Sequence, residues 1–420
     1  MLTLLMLLPL AQPATAHPAF AQPAAKPVPA HLVRQSGDEG LRETPVVELV
    51  DRDGQIERKE LSDLGDDIQL GDTVLLRWEG LVAPVPMEPA SARASLVLVS
   101  GDRLYGHVVG GEVDDLIVRL VGEVETRLAI DDLERIVFES RIPSAWTAPV
   151  EAADEGDRLY RVQGTALDRL DGTVEELTEE GVRFHGVLGS RVLPWNEVAA
   201  LFVESLGPLE PETDETAGDL PAVVVDLIDG GRLRGELRSL DDQECVLGTR
   251  RGELRLPLAI LGSLALDDGS VAFLSDLAPK ETTDGAPFGD DLGMRWPHRF
   301  DRSVTGKPLR AAGRAFSRGI GVHAPSRMVW ELDGGWTRLL GSVAVDDEVL
   351  LLSSRGSVVF RVLVDGQPLW ESPILHGGDT PLELPELELS GAKELVLEVD
   401  ASTDFFVADR ADWLTMMLVR

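Results

Sequence analysis

Gly319-Ile320-Gly321-Val322-His323-Ala324-Pro325-Ser326 opens the stretch that decides the fold. Val343-Ala344-Val345-Asp346-Asp347 follows, and then Gly356-Ser357-Val358-Val359-Phe360-Arg361-Val362-Leu363-Val364-Asp365-Gly366. Ala408-Asp409-Arg410-Ala411-Asp412-Trp413 leads into a last apolar run. These are short runs of β-formers closed by Asp and Gly, the punctuation of strands and turns. Further runs at Met328 to Leu332, Leu382 to Leu389 and Glu394 to Val399 supply enough antiparallel strands for a jelly-roll sandwich.

In this order, the four pieces resemble the NPCBM family of carbohydrate-binding modules. That family has a G-I-G-x-H-A-x-S opening, a G-x-D-D centre, a G-S-V-x-F-x-V-x-x-D-G hairpin and a D-x-A-D-W ending. The resemblance is confined to the C-terminal part, residues 267–420. It implies a galactose-binding-like fold and a glycan partner. The family often has His where Arg410 stands, so a polar triad is not carried over to that end.

Composition narrows the function classes. The chain has 420 residues, 73 Asp and Glu against 39 Lys and Arg, and a formal net charge of −34. Such a surface repels phosphate backbones and anionic lipid, so nucleic-acid binding and membrane insertion are not expected, and a soluble monomer is. No nucleophile elbow, zinc spacing, P-loop or dinucleotide fingerprint is present, which argues against an enzyme. Met1 to Leu10 is almost wholly apolar, with A-x-A sites at Ala14-Thr15-Ala16 and Ala19-Phe20-Ala21. This predicts a secretory signal over residues 1–21 and a secreted, periplasmic or cell-envelope location. The single cysteine, Cys245, reads as a small buried hydrophobe.

Beyond a Pro- and Ala-rich linker at 22–43, the chain reads as all-β. A small β unit is expected at 44–92. Three related β repeats follow at 93–142, 155–206 and 220–266, spaced by roughly 65 residues. Each carries a Gly-containing hairpin and alternating strands that can curl into a small barrel, in outline like an Sm or SH3 barrel. The sandwich of 267–420 completes the chain and is expected to fold alone.

The candidate ligand-binding residues are His323, Ser326, Trp336, Asp346, Asp347, Asp409, Asp412 and Trp413. His323 and Ser326 on one loop can hydrogen-bond sugar hydroxyls, or else tie a turn to the sandwich. Asp346, Asp347 and Glu348 could hold a structural calcium ion, the one cofactor that the residue types admit, or form an Asx turn. Asp409 and Asp412 beside Trp413 could bind a sugar, but Trp413 also reads as a core anchor. Trp336 follows Asp333-Gly334-Gly335 and reads as the most exposed ring. The leading expectation is non-catalytic glycan binding; the alternative is a structural or protein-interaction component of the cell envelope.

Overall fold

A computed structural model describes residues 46–53, 55–60, 63, 72–79, 93–204, 220–249, 251–285, 295–402 and 407–420. The signal and linker expected over residues 1–43 lie outside the described residues. Thr44 to Arg420 forms one compact unit. Among the described residues it is all-β, every named strand pairs antiparallel, and the helical turns are short 3-10 ones.

Each repeat is a five-stranded meander whose first strand pairs with both its second and its fifth. In the first repeat the strands are Ala94–Leu98, Arg103–Glu112, Asp115–Leu120, Glu125–Ala129 and Leu133–Val137. Each second strand shifts register near its middle, at Val108/Gly110, Val174/Glu176 and Leu237/Ser239. Such a bulge bends a strand and lets five short strands curl around a core. A 3-10 turn joins the fourth and fifth strands at equivalent places, Ile130–Asp132, Trp195–Glu197 and Leu258–Ile260. Leu116, Val182 and Cys245 occupy equivalent buried positions in the third strands. Burial, reinforced by Asp241 and Glu244, pushes the Cys245 thiol up to about 12, so it stays a protonated, inert core side chain.

The repeats are joined through their edges. The fifth strand of the first repeat pairs with that of the second, Val198–Phe202. The fifth strand of the third, Leu261–Leu266, pairs with Thr73–Glu79 of the N-terminal unit. Each fifth strand would otherwise present unpaired amides and carbonyls, which this pairing satisfies.

Two sheets make the C-terminal sandwich. In one, Arg410–Val419 lies between Gly319–His323 and Arg338–Val345 and also pairs with Val271–Phe273. In the other, Glu394–Ala401 lies between Ser326–Glu331 and Ser357–Val364. Trp413 and Trp330 fill the interior between them, with Trp413 edge-on to Phe360 at 4.9 Å. The outer face of the first sheet is covered by the chain between its strands. Residues 302–304 cross directly over Gly321, where a Cβ would stand 2.4 Å from the Arg302 carbonyl and 2.5 Å from the Val304 nitrogen. The hairpin Leu309–Ala311 and Arg314–Phe316 then lays Leu309 and Ala311 on Ala344 and Leu414.

The third repeat meets the sandwich through buried charge. Arg318, 2% exposed, donates from Nε to Asp226 at 2.6 Å, pairs with Asp276, and lies 4.0 Å over the Phe273 ring. Arg232 bridges Asp226 at 2.9 Å and Asp301 at 3.1 Å, and Ser263 donates to Asp226 at 2.7 Å. Burial alone would push the Asp226 carboxyl up, but the Arg318 and Arg232 guanidinium groups outweigh it and hold it below the usual carboxylate range. The apolar core of the repeats runs on into the sandwich at Phe273, Met417 and Val419.

Candidate functional site

The register of the first sheet gathers one group of polar side chains at one end. His323 pairs with Arg410, Val345 pairs with Ala411, and Ala324 donates its amide to the Asp409 carbonyl. His323, Asp346 and Asp409 thus meet as the strand ends suggest, but below the surface. His323, Ser326, Asp346, Asp409, Asp412 and Trp413 are all buried. The sequence marks them as polar or aromatic; the cover of residues 302–316 over the sheet's outer face removes most of them from solvent.

Asp346, Asp347 and Asp409 are engaged by the frame. Asp346 accepts the Glu348 amide at 2.7 Å and the Arg310 amide at 3.2 Å. Asp347 accepts the amides of Ala312 at 3.0 Å and Gly313 at 2.8 Å. Asp409 accepts the Ser357 amide at 2.8 Å. The oxygens that a calcium ion would take from Asp346 and Asp347 are therefore engaged by backbone amides. No group of three or more His, Cys, Asp or Glu among the described residues is placed to hold a metal ion. Trp336 is separated from the rest. It precedes strand Arg338–Val345, at the end opposite Asp346, and is half-buried under Arg420 at 4.2 Å.

Asp412 lies under this cover beside Asp346. Burial, followed by the negative charge of Asp346, holds the Asp412 carboxyl well above the usual range. Burial also raises Asp346. Asp412 is pushed up the more strongly and keeps its proton to the higher pH. The sign of the pH effect follows. The folded chain keeps this proton where the unfolded chain, with an ordinary carboxyl near about 3.9, has released it. Its contribution is complete below that pH and declines as pH rises through the folded value. Asp412→Asn supplies an amide donor with no proton to lose. Its stability relative to the natural chain is expected to improve steadily from pH 5 to pH 8 in urea titrations. A constant difference across that range would refute the retained proton on Asp412.

Above this pair stands the part that solvent reaches. Trp296, half-buried, stacks on His323 at 5.3 Å and 16°, and the Arg410 guanidinium lies 5.6 Å from the indole centre. Arg410 also pairs with Glu348 at 2.7 Å. Glu348 accepts from Ser303 at 2.9 Å and from Thr305 at 2.7 Å, with the Lys307 ammonium 3.8 Å away. Burial works against its charge, but these donors and cations hold Glu348 below the usual carboxylate range. His323 donates from Nδ1 to the Ala324 carbonyl at 2.7 Å. Burial, aided by the Arg410 charge, keeps its pKa below the usual histidine value. The imidazole is neutral, leaving Nε2 as an acceptor. One indole, one acceptor nitrogen, one guanidinium and one ionised carboxylate suit hydrogen-bonding to hydroxyls, with an apolar ring face at hand.

Residues 270–419 match the NPCBM/NEW2 domain family. The C-terminal part of this chain is an NPCBM domain. A Renibacterium salmoninarum protein, named provisionally as an endo-alpha-N-acetylgalactosaminidase, is 32% identical over 97 residues, which are 23% of this chain and 6% of that protein. Alpha-1,3-galactosidase B of Akkermansia muciniphila is 31% identical over 122 residues, which are 28% of this chain and 15% of that protein. The chain thus spans a small part of the length of these curated relatives. A CBM51 module from Clostridium perfringens GH95, solved in complex with methyl-galactose, is 24% identical, with a TM-score of 0.31 over 36% of this chain and 99% of that one.

Within the NPCBM domain, Trp296, Lys307, Glu348 and Arg410 escape a reading of the family motif. Trp296 precedes the motif, and Arg410 stands where the family often has His. A separate recess lies where the third repeat meets the domain, lined by Ile228, Gly230, Arg302 and Phe316. It is away from Trp296, and Arg302 there is occupied with the Asp229 carbonyl at 3.2 Å. Asp301, which also lines the recess, is occupied with Arg232 at 3.1 Å, so the Trp296 group is the better candidate.

Proposed function

We propose that this is an exported, non-catalytic protein whose NPCBM domain binds carbohydrate beside Trp296. The observation that carries this reading is the half-exposed indole set between neutral His323 and the Arg410–Glu348 pair. A sugar ring can lay its C–H face on the indole and remove apolar surface from water. Its hydroxyls can donate to Glu348 and His323 Nε2 and accept from Arg410. The apolar Met1 to Leu10 supports export. The galactosidase and N-acetylgalactosaminidase names of the relatives support galactose-type sugars as the first probes. His323 stacks directly on Trp296, which supports this placing; Trp336 lies at the other end of its sheet.

A shallow site of this kind gives affinity of roughly millimolar to micromolar. Titration calorimetry of the full chain with galactose and N-acetylgalactosamine is expected to show such binding. Trp296→Ala should weaken it by about tenfold or more, about 1.4 kcal/mol, with an unchanged melt. Binding that survives Trp296→Ala would move the site elsewhere. The protein-interaction reading is favoured by Leu351, 88% exposed beside half-exposed Leu350 and Leu352 on the turn that carries Glu348. Capture of no glycan by the intact chain would make it the leading one.

A further inference from the structure

We infer that the Trp296 site takes a glycan carrying a negative charge, a sulfate or a carboxylate on a sugar next to the stacked ring. The inference rests on the carbohydrate-binding reading above and names its substrate class. It starts from the distribution of charge. In a chain with 73 acids and 39 bases, residues 295–318 hold seven Arg or Lys, at 295, 299, 302, 307, 310, 314 and 318, and one acid, Asp301.

The fold explains part of this run. Arg318 turns to the third repeat, where it meets Asp226, Arg314 meets Glu48 of the N-terminal unit, and Arg302 caps the Asp229 carbonyl. Arg299 and Lys307 have another position. Arg299 pairs with Gly321 and so shares a sheet face with His323 and Arg410. It is exposed and donates Nε to a backbone carbonyl, that of Val304, at 3.1 Å. The Lys307 side chain is 64% exposed and reaches Glu348 only at 3.8 Å. Arg410 is the third cation, against the indole.

Among the described residues, Glu348, Asp347 and Asp284 are already occupied. Glu348 is shared among Ser303, Thr305, Lys307 and Arg410. Asp347 holds the amides of Ala312 and Gly313, and Asp284 holds His298 at 2.7 Å. Asp346 and Asp412 lie buried. Among the described residues, Arg299 and Lys307 therefore stand exposed on the side of the sheet that carries Arg410 and the indole, and the one carboxylate between Lys307 and Arg410, Glu348, is largely buried. An anion placed there gains charge-assisted hydrogen bonds, with the planar Arg forks suited to two-oxygen recognition. The chain's net negative charge acts over longer distances and is screened beyond about 8 Å at physiological salt, so the contacts at the rim decide.

The test compares the full chain on three immobilised polysaccharides: agarose as a neutral galactan, carrageenan as a sulfated galactan, and polygalacturonate as a carboxylated one. Retention at 50 mM NaCl is expected to be about tenfold stronger on at least one charged support than on agarose, and to fall at 0.5 M NaCl. The support preferred assigns the sulfate or the carboxylate. The double variant Arg299→Gln, Lys307→Gln should abolish the charged-to-neutral ratio while its melt stays unchanged, because both side chains are exposed. Equal or stronger retention on agarose overturns the inference and leaves carbohydrate binding standing. A ratio that survives the double variant also overturns it. Retention on none of the three, nor on galactose in calorimetry, removes both readings together.

Discussion

Arg318→Ala is expected to destabilise the folded chain by about 3–5 kcal/mol, the cost of breaking a buried ion pair from one side. The variant leaves Asp226 buried with Arg232 as its remaining cation and takes the guanidinium from the Phe273 face. The Asp226 carboxyl sits below its ordinary value when folded. Its contribution is therefore present above the ordinary carboxylate pKa and lost as pH falls through the folded value. Urea unfolding at pH 7 measures the loss. The gap between variant and natural chain should narrow on acidification, once Asp226 is protonated in both. A loss below about 1 kcal/mol at pH 7 would mean that the network is solvated, as surface pairs are.

The second large effect concerns the cut between repeats and sandwich. The sequence suggests a module that folds alone from residue 267. In the structure its Phe273, Met417 and Val419 belong to the apolar core of the repeats, and its Arg318 finds Asp226 there. A fragment of residues 271–420 exposes that apolar surface and loses that partner. It is expected to melt about 10 °C below a fragment of residues 220–420, which keeps the third repeat. Equal melting temperatures would show that the repeats contribute nothing to the module.

What the sequence reveals follows from which interactions are local. The Gly-bearing hairpins and the burial of Cys245 are legible because they depend on period and turn chemistry within about fifty residues; the register shifts in the second strands are not. The jelly-roll strands are legible for the same reason. The depth of Asp412 and His323 is not. It depends on residues 302–304 crossing Gly321, a contact between segments whose alternation says nothing of an outer cover. The one local hint is Gly321 itself, a small residue on a sheet face. Trp336 was misplaced because turn chemistry locates a loop but not which end of the sandwich it occupies. Pairing of the fifth strands between repeats is equally silent, since edge availability is a property of the assembled barrels.

The placing of Arg410–Val419 sets how this molecule acquires its fold. That strand is the middle of its sheet, and its partners begin at Val271, Gly319 and Arg338. Every strand pairing it makes closes a long loop, and loop closure takes its entropy before any contact is gained. Formation of the sheet is therefore a late and slow event governed by topology more than by net stability. Until it happens, the flanking strands remain open edges, and the time spent in that state sets the window in which proteases and unwanted strand partners can act on the chain.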